Sequence, residues 1–349
     1  MMIRRSKNII KNNSKKYNFR SLNFIGKKIL VTGAGGSIGF ELCKQIMKLS
    51  PKLLIAMDFG ETELFYTEMR LLEENPRMDL VTKILDIKDR VGIKALLKKN
   101  KPDIIFHAAA YKHVCMMENN PREAVLNNIL GTKNLIESAE KNEVKQFINI
   151  STDKASDPTC IMGATKRINE KIIYCNNSKQ LNKINVRFGN ILGSRGSVLP
   201  IFQQQIMQRG PITLTDKNMT RYFMTVEEAI YLLLQSARIG HSGKTYFFDM
   251  GEPIKIIDLA DKLIEAYGLK INKDIKISII GKKPGEKISE QLHSNTELIK
   301  KTAVKKIFEV KEQEIPDRNF MKKVGSLINF CLNHTDDNVI KEKVMELAK

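Results

Sequence analysis

The chain has 349 residues, 42% of them hydrophobic, with a formal charge of +19 and five cysteines. That length holds one large or two modest domains with a full core, and no run of about 18 apolar residues is present to span a membrane. The charge lies on a Lys-rich, Arg-poor chain without a zinc-finger or aromatic RNA-binding motif, which favours an anionic substrate and excludes a dedicated nucleic-acid binder.

Residues 1–26 are basic, polar and without periodicity, so they are expected to form a disordered leader. Weak contact with anionic lipid is the sharper alternative. No apolar segment suited to a signal peptide occurs there, and the scattered Cys43, Cys115, Cys160, Cys175 and Cys331 read as reduced thiols. The expectation is a cytoplasmic protein, at most peripheral to the membrane's inner face. KKILVTG, KLLIAMD, VTKILDI, PDIIFHAA and QFINIST then read as successive buried strands, with INVRFGN as a sixth. Between them lie helices such as Phe40–Leu49, Ala124–Lys141 and one starting near Met162. From about Gly193 the apolar runs shorten (SRGSVLPIF, GPITLTD, KTYFFDM). They alternate with helices at Val226–Ala237 and in IKIIDLADKLIEAYG.

Strand–helix alternation predicts an α/β protein, a Rossmann-like doubly wound parallel sheet with a smaller C-terminal α/β substrate lobe. The boundaries expected are 1–26 for the leader, 27–189 for the domain built on the parallel sheet, 190–335 for the partly interleaved lobe and 336–349 for a helical tail.

Gly33, Gly36, Ser37, Ile38 and Gly39 form a glycine-rich turn between the first strand and the helix FELCKQIMKL. Such a turn lets backbone N–H groups approach a pyrophosphate, and the helix N-terminus favours its charge. The spacing is G-x-x-G-x-x-G, weak alone and strong only in this context. Asp58 ends the second strand 19 residues beyond Gly39, where an acid can bind a cofactor ribose. Asp86 and Ile87 end the third, towards the adenine, and Ala108 and Ala109 in HAAAYKH are small enough to pass close to a dinucleotide. A carboxylate at Asp58 with no adjacent arginine favours NAD over NADP, since it would repel a 2′-phosphate.

VTGAGGSIG, HAAAYKH, ISTDKA, MGATKR, VRFGNILGSRGS, MTRYF and KPGEK, in this order from Gly26 to Leu292, resemble the UDP-N-acetylglucosamine 4,6-dehydratases among the extended short-chain dehydrogenase/reductases. Where many of these enzymes have Tyr-x-x-x-Lys, this chain has Met162-x-x-x-Lys166, and it resembles the branch in which methionine replaces the tyrosine. The resemblance implies UDP-N-acetylglucosamine as substrate, a tightly bound and regenerated NAD (NADP the alternative), a homo-oligomer and no metal. It implies that Thr152 binds O4 of the sugar, Asp153 protonates the C6 hydroxyl, Lys154 removes the C5 proton and Lys166 binds the nicotinamide ribose. Lys154 must then be partly neutral, which burial and a nearby Lys166 would promote.

On the substrate side the resemblance implicates Lys112, Asn190, Arg195 and Ser197, with Arg221 and Lys283 for phosphate and Glu286 for the uridine ribose. Lys283 stands where the family commonly has arginine, losing a bidentate fork. His107 and His113 read as packing residues, and Asn128 as a structural amide bridging neighbouring strands. A dehydratase that also inverts C5, a UDP-sugar 4-epimerase and a non-enzymatic dinucleotide sensor are the competing readings.

Overall fold

The computed structural model describes residues 17–19, 22, 24–175, 180–311 and 316–349. Most of the leader lies outside the described residues. Of the part described, Leu22 and Phe24 are buried and Tyr17 rests on Tyr231, so the chain joins the core before residue 26.

The elements run β1 (Lys28–Thr32), α1 (Ser37–Met47), β2 (Leu53–Asp58), α2 (Glu61–Glu74), β3 (Leu80–Ile84), α3 (Arg90–Asn100) and β4 (Ile104–His107). They continue with α4 (Val114–Glu118), α5 (Pro121–Ala124), a π-helical turn (Val125–Leu130), α6 (Gly131–Lys141), β5 (Gln146–Thr152), α7 (Ile161–Cys175) and β6 (Asn182–Phe188). Then come β7 (Asn190–Ile191), α8 (Val198–Met207), β8 (Ile212–Leu214), β9 (Thr220–Arg221), β10 (Phe223–Met224), α9 (Val226–Ile239) and β11 (Lys244–Phe248). The last are β12 (Ile254–Lys255), α10 (Ile256–Ala266), β13 (Ile277–Ile279), β14 (Leu298–Lys301), β15 (Ile307–Lys311), α11 (Phe320–Asn333) and α12 (Asp337–Ala348).

Nine strands form one sheet in the order β14-β15-β11-β6-β5-β4-β1-β2-β3. From β3 to β11 all pairs are parallel; β15 and β14 close the far edge antiparallel. Parallel strands covered on both faces read as continuous apolar runs, as KILVT and LLIAMD do. The order reverses between β1 and β4, and a crevice opens beyond the carboxyl ends of strands at such a switch point.

One face packs under α3, α6, α7, α11 and α12, through Ile93, Leu135, Ile168, Val324 and Ile340. The other packs under α1, α2 and α9, through Leu42, Ile46, Leu64 and Leu233. A separate core of Leu199, Phe202, Leu214, Phe223, Leu259 and Leu263 builds the smaller lobe. The residues expected in the lobe thus divide. β11, α9, β14 and β15 extend or cover the large sheet, and α11 with α12 returns to the first face.

Helix α1 starts three residues before the expected Phe40, because extended Gly36 serves as its N-cap. The run in SRGSVLPIF turns into α8, where Pro200 in the first turn gives up an N–H that has no intrahelical partner. Among the described residues no helix is long and apolar enough to cross a membrane.

Candidate active site

The glycine-rich turn lies against the end of β4. Gly33 has φ +69°, and a Cβ there would fall 2.7 Å from the Ala109 nitrogen, so a side chain would force the two loops apart. A Cβ on Gly39 would collide with the Gly33 carbonyl. Asp58 ties the turn to β2, its carboxylate accepting from the Gly35 nitrogen at 2.8 Å and the Gly60 nitrogen at 3.0 Å. A carboxylate has lone pairs to spare for two hydroxyl donors. Helix α1 has no acid in its first turn to repel an anion. The close glycine packing, acid-free helix start and strand-end Asp58 together fit a dinucleotide. Asp86 accepts from the Lys88 nitrogen at 2.8 Å, and the Ile87 side chain packs over Gly131.

Ala109 is held by a polar chain through the core. Its N–H donates to Thr32 Oγ1 (3.3 Å), which contacts His107 Nδ1 (2.8 Å); His107 Nε2 contacts Thr132 Oγ1 (2.9 Å), and Thr132 donates to the Asn128 carbonyl (2.6 Å). Since the Thr132 proton is used, Nε2 carries the imidazole proton and Nδ1 accepts from Thr32. Burial lowers the His107 pKa to about 3, keeping the ring neutral. Asn128 does not bridge strands as expected. Its amide clamps the Tyr111 backbone (2.8 and 3.1 Å) to Thr165 of α7 (3.0 Å), fixing the loop after β4.

Thr152, Asp153 and Lys154 occupy the end of β5 and a short 3₁₀ turn. Thr152 donates to Asp153 Oδ1 at 2.8 Å, and Lys154 Nζ donates to the same oxygen at 3.0 Å. Asp153 Oδ2 is buried and has no partner among the described residues. A Cβ at Gly189 would sit 3.1 Å from that oxygen, so glycine there leaves it room.

The Lys154 pKa is raised, contrary to the neutral amine expected. Burial works to lower it, but the Asp153 and Glu290 carboxylates outweigh burial. Lys166 is the depressed lysine: burial takes its pKa to about 8, and its Nζ donates to the Ile150 carbonyl at 2.7 Å. Met162 is the second residue of α7, its side chain buried in the first core.

Arg195 sits over the glycine-rich turn. Its N–H donates to Ser37 Oγ at 3.0 Å and its guanidinium to the Gly35 carbonyl, while Lys112 Nζ donates to the Arg195 carbonyl at 2.9 Å. His113 lies under Gly196, whose φ of +68° no Cβ would tolerate beside the ring. Partial desolvation lowers the Lys112 and His113 pKa values while both side chains keep solvent contact, and the adjacent cations add to this. Ser197 Oγ, at the N-cap of α8, is buried without a partner among the described residues. The Asn190 backbone joins that of Tyr222 at 3.1 Å.

Arg221, expected to meet a phosphate, is partly committed to the backbone. It is buried, and its guanidinium donates to the Thr220, Lys287 and Ile288 carbonyls at 2.7, 2.8 and 3.0 Å. Lys283 is exposed and Glu286 half-buried, and both line a cavity of about 690 Å³ with Thr159 and Lys287. Sequence reasoning missed Glu290, which brings Oε1 to 3.5 Å from Lys154 Nζ. Its only sequence signal is an acid shortly after KPGEK, in ISEQL.

Residues 29–312 match the model of the family described as polysaccharide biosynthesis protein. The capsular polysaccharide biosynthesis protein CapD of Staphylococcus aureus is 43% identical over 331 residues, 94% of this chain and 54% of its own length. The chain therefore spans about half the length of that relative. The UDP-N-acetylglucosamine 4,6-dehydratase (inverting) of Campylobacter jejuni is 34% identical, covering 78% of this chain and 79% of its own. The UDP-glucose 4-epimerase of Rickettsia bellii is 31% identical, covering 93% and 96%.

Among solved structures, Pen from Bacillus thuringiensis superimposes with a TM-score of 0.73 at 33% identity, covering 84% of this chain and 91% of that one. DesIV of Streptomyces venezuelae, a dTDP-glucose 4,6-dehydratase with NAD and TYD bound, shares the fold at 19% identity and a TM-score of 0.67, covering 76% and 88%. The chain belongs to the polysaccharide biosynthesis protein family of extended short-chain dehydrogenase/reductases.

Proposed function

We propose that the chain is a nicotinamide-dependent nucleotide-sugar enzyme, a dehydratase converting UDP-N-acetylglucosamine to a UDP-4-keto-6-deoxy-N-acetylhexosamine. The observation that carries this reading is the Asp153–Lys154 pair, an acid with a buried unpartnered oxygen beside an amine on the strand next to the dinucleotide crevice. Asp58, Ala109, the Gly33–Gly39 turn and Lys166 would hold the dinucleotide, with NAD favoured over NADP by the Asp58 carboxylate. Lys112, Asn190, Arg195, Ser197, Arg221, Lys283 and Glu286 are the residues proposed for the UDP-sugar.

The nicotinamide, when bound, takes hydride from C4 and later returns it to C6. Thr152 orients O4, and the O4 proton passes to Asp153 along the 2.8 Å Thr152–Asp153 hydrogen bond. A thioether at Met162 has no proton affinity of use here, which leaves Asp153 as the acceptor. Lys154 takes the C5 proton, now acidic beside the ketone. The C5–H electrons form the C5–C6 double bond as the C6–O bond breaks, and Asp153 delivers its proton to the departing hydroxyl, which leaves as water. Lys154 returns its proton to C5 as hydride reaches C6, so protons and electrons balance.

A 4-epimerase reading draws support from the Rickettsia relative, but 4-epimerisation needs no base at C5 and would leave Lys154 without work. The test is incubation of purified protein with UDP-N-acetylglucosamine and no added cofactor, followed by mass spectrometry and proton NMR. Loss of one water with a new C6 methyl signal is expected, and the C5 coupling distinguishes retention from inversion. An epimerised product of unchanged mass would sink the dehydratase reading.

A further inference from the structure

Lys154 cannot remove a proton while it is an ammonium, yet the Asp153 and Glu290 carboxylates around it stabilise that form. Asp153 Oδ1 is the closer partner at 3.0 Å and also accepts from Thr152; Glu290 Oε1 stands at 3.5 Å. Glu290 Oε2 is buried with no partner among the described residues, although the residue is only 6% exposed. Two buried carboxylates cannot both be well served by one ammonium, and a buried carboxylate without donors takes a proton more readily than in water.

We propose that Glu290 accepts the proton Lys154 carries at rest, so that an amine faces C5 of the sugar. This rests on the dehydratase reading above and adds to it the residue that makes the base available. The step is a transfer from Lys154 Nζ to a Glu290 oxygen. The vacated nitrogen then takes the C5 proton and later returns it to C5, and Glu290 finally gives its proton back to Lys154. Glu290 acts through Lys154 and is a positioning and proton-holding residue.

The charged and titratable groups facing Glu290 support this direction. Burial raises its pKa and Asp153 adds to the rise, while Lys154, Arg221 and Lys287 oppose it. The Arg221 guanidinium is engaged by three carbonyls, and Lys287 Nζ is held by the Asp157 carbonyl and carboxylate. The Cys160 thiol also lies within the field of Glu290, and burial pushes it up, so it stays protonated at neutral pH. Glu118, the remaining acid near that thiol, is spent on the Ile161 N–H at 2.7 Å. Among the described residues no neighbour fully satisfies Glu290, which leaves proton exchange with Lys154 as its outlet.

The experiment compares the wild-type enzyme with E290Q and E290D on UDP-N-acetylglucosamine in deuterated buffer. It follows C4 oxidation by reduced-nicotinamide absorbance and C5 exchange by mass spectrometry across pH. Glutamine keeps the shape and hydrogen-bonding capacity but cannot accept the proton. In E290Q, C4 oxidation is expected to persist while C5 exchange slows on the order of 10²-fold at pH 7. The deficit should shrink as rising pH strips Lys154 directly, and E290D should recover part of the rate. Wild-type C5 exchange in E290Q at every pH, or equal loss of oxidation and exchange with no pH recovery, would overturn the inference alone. A wild-type enzyme that oxidises no sugar overturns the dehydratase reading and this inference with it.

Discussion

Lys154 and Lys166 are both buried and shift in opposite directions. Burial lowers each, but Lys154 faces two carboxylates, whereas the Lys166 ammonium meets the Ile150 carbonyl and only the more remote charge of Glu170. Lys166 is thus held at a cost to stability. Its folded pKa of about 8 lies below the unfolded value of about 10.4, so the unfolded state binds more protons between these limits and stability rises with pH across them. Lys166→Met should therefore stabilise the fold at pH 7 by on the order of 2 kcal/mol while abolishing turnover. The gain should fade from about pH 8 and vanish above about 10.4, as read from urea midpoints at several pH values. Asp153→Asn is expected to abolish turnover and leave dinucleotide affinity unchanged, measured by fluorescence titration. Retained turnover would remove Asp153 from the chemistry. The Thr-Asp-Lys run was legible at this scale because its three residues are contiguous. Glu290 was not, because only folding brings it to Lys154.

The elements behind the site are locked by an ion cluster that no local pattern announces. Arg187 of β6 donates through Nε and Nη2 to Glu170 of α7 at 2.8 and 2.7 Å, and Nη1 lies 2.8 Å from Glu297, which precedes β14. Ser151 adds a 2.6 Å hydrogen bond to Glu170. Burial pushes the Glu170 carboxyl up, but the Arg187 guanidinium beside it wins and holds it below the usual range. The cluster ties the antiparallel edge of the sheet to α7 and to the strand that follows it. Arg187→Met leaves two buried carboxylates with less cation than they need and should cost about 3–5 kcal/mol in chemical denaturation. Strand positions were readable from apolar runs, since burial on both faces demands them. The helix expected at Ala124–Lys141 instead begins at Pro121 and passes through a π turn, where the Asn128 side chain bonds the Tyr111 loop and its carbonyl accepts from Asn169 and Thr132.

At the scale of the molecule, the C-terminal helices complete the first face of the sheet. Ile340, Val344 and Ala348 of α12 are buried, as are Phe320, Val324 and Leu327 of α11. The expected division into lobe and tail followed chain order, while packing follows the apolar face of α7 that needs covering. Ile340→Ala, remote in sequence from the crevice, is expected to cost about 2–5 kcal/mol. It should lower the urea midpoint of the nucleotide-binding domain itself; an effect confined to a separate early transition would show the tail to be an independent unit.

The sequence by itself determined the parallel α/β sheet and the places of the glycine-rich turn, Asp58 and the Thr152–Lys154 run at its strand ends, because each depends on local apolar pattern or on contiguous residues. Tertiary structure alone decided the opposite pKa shifts of Lys154 and Lys166, the recruitment of Arg221 to backbone carbonyls and the arrival of Glu290 beside Lys154. Those outcomes depend on how much water is excluded and which charges meet across the fold, and neither quantity is written in any single stretch of the chain.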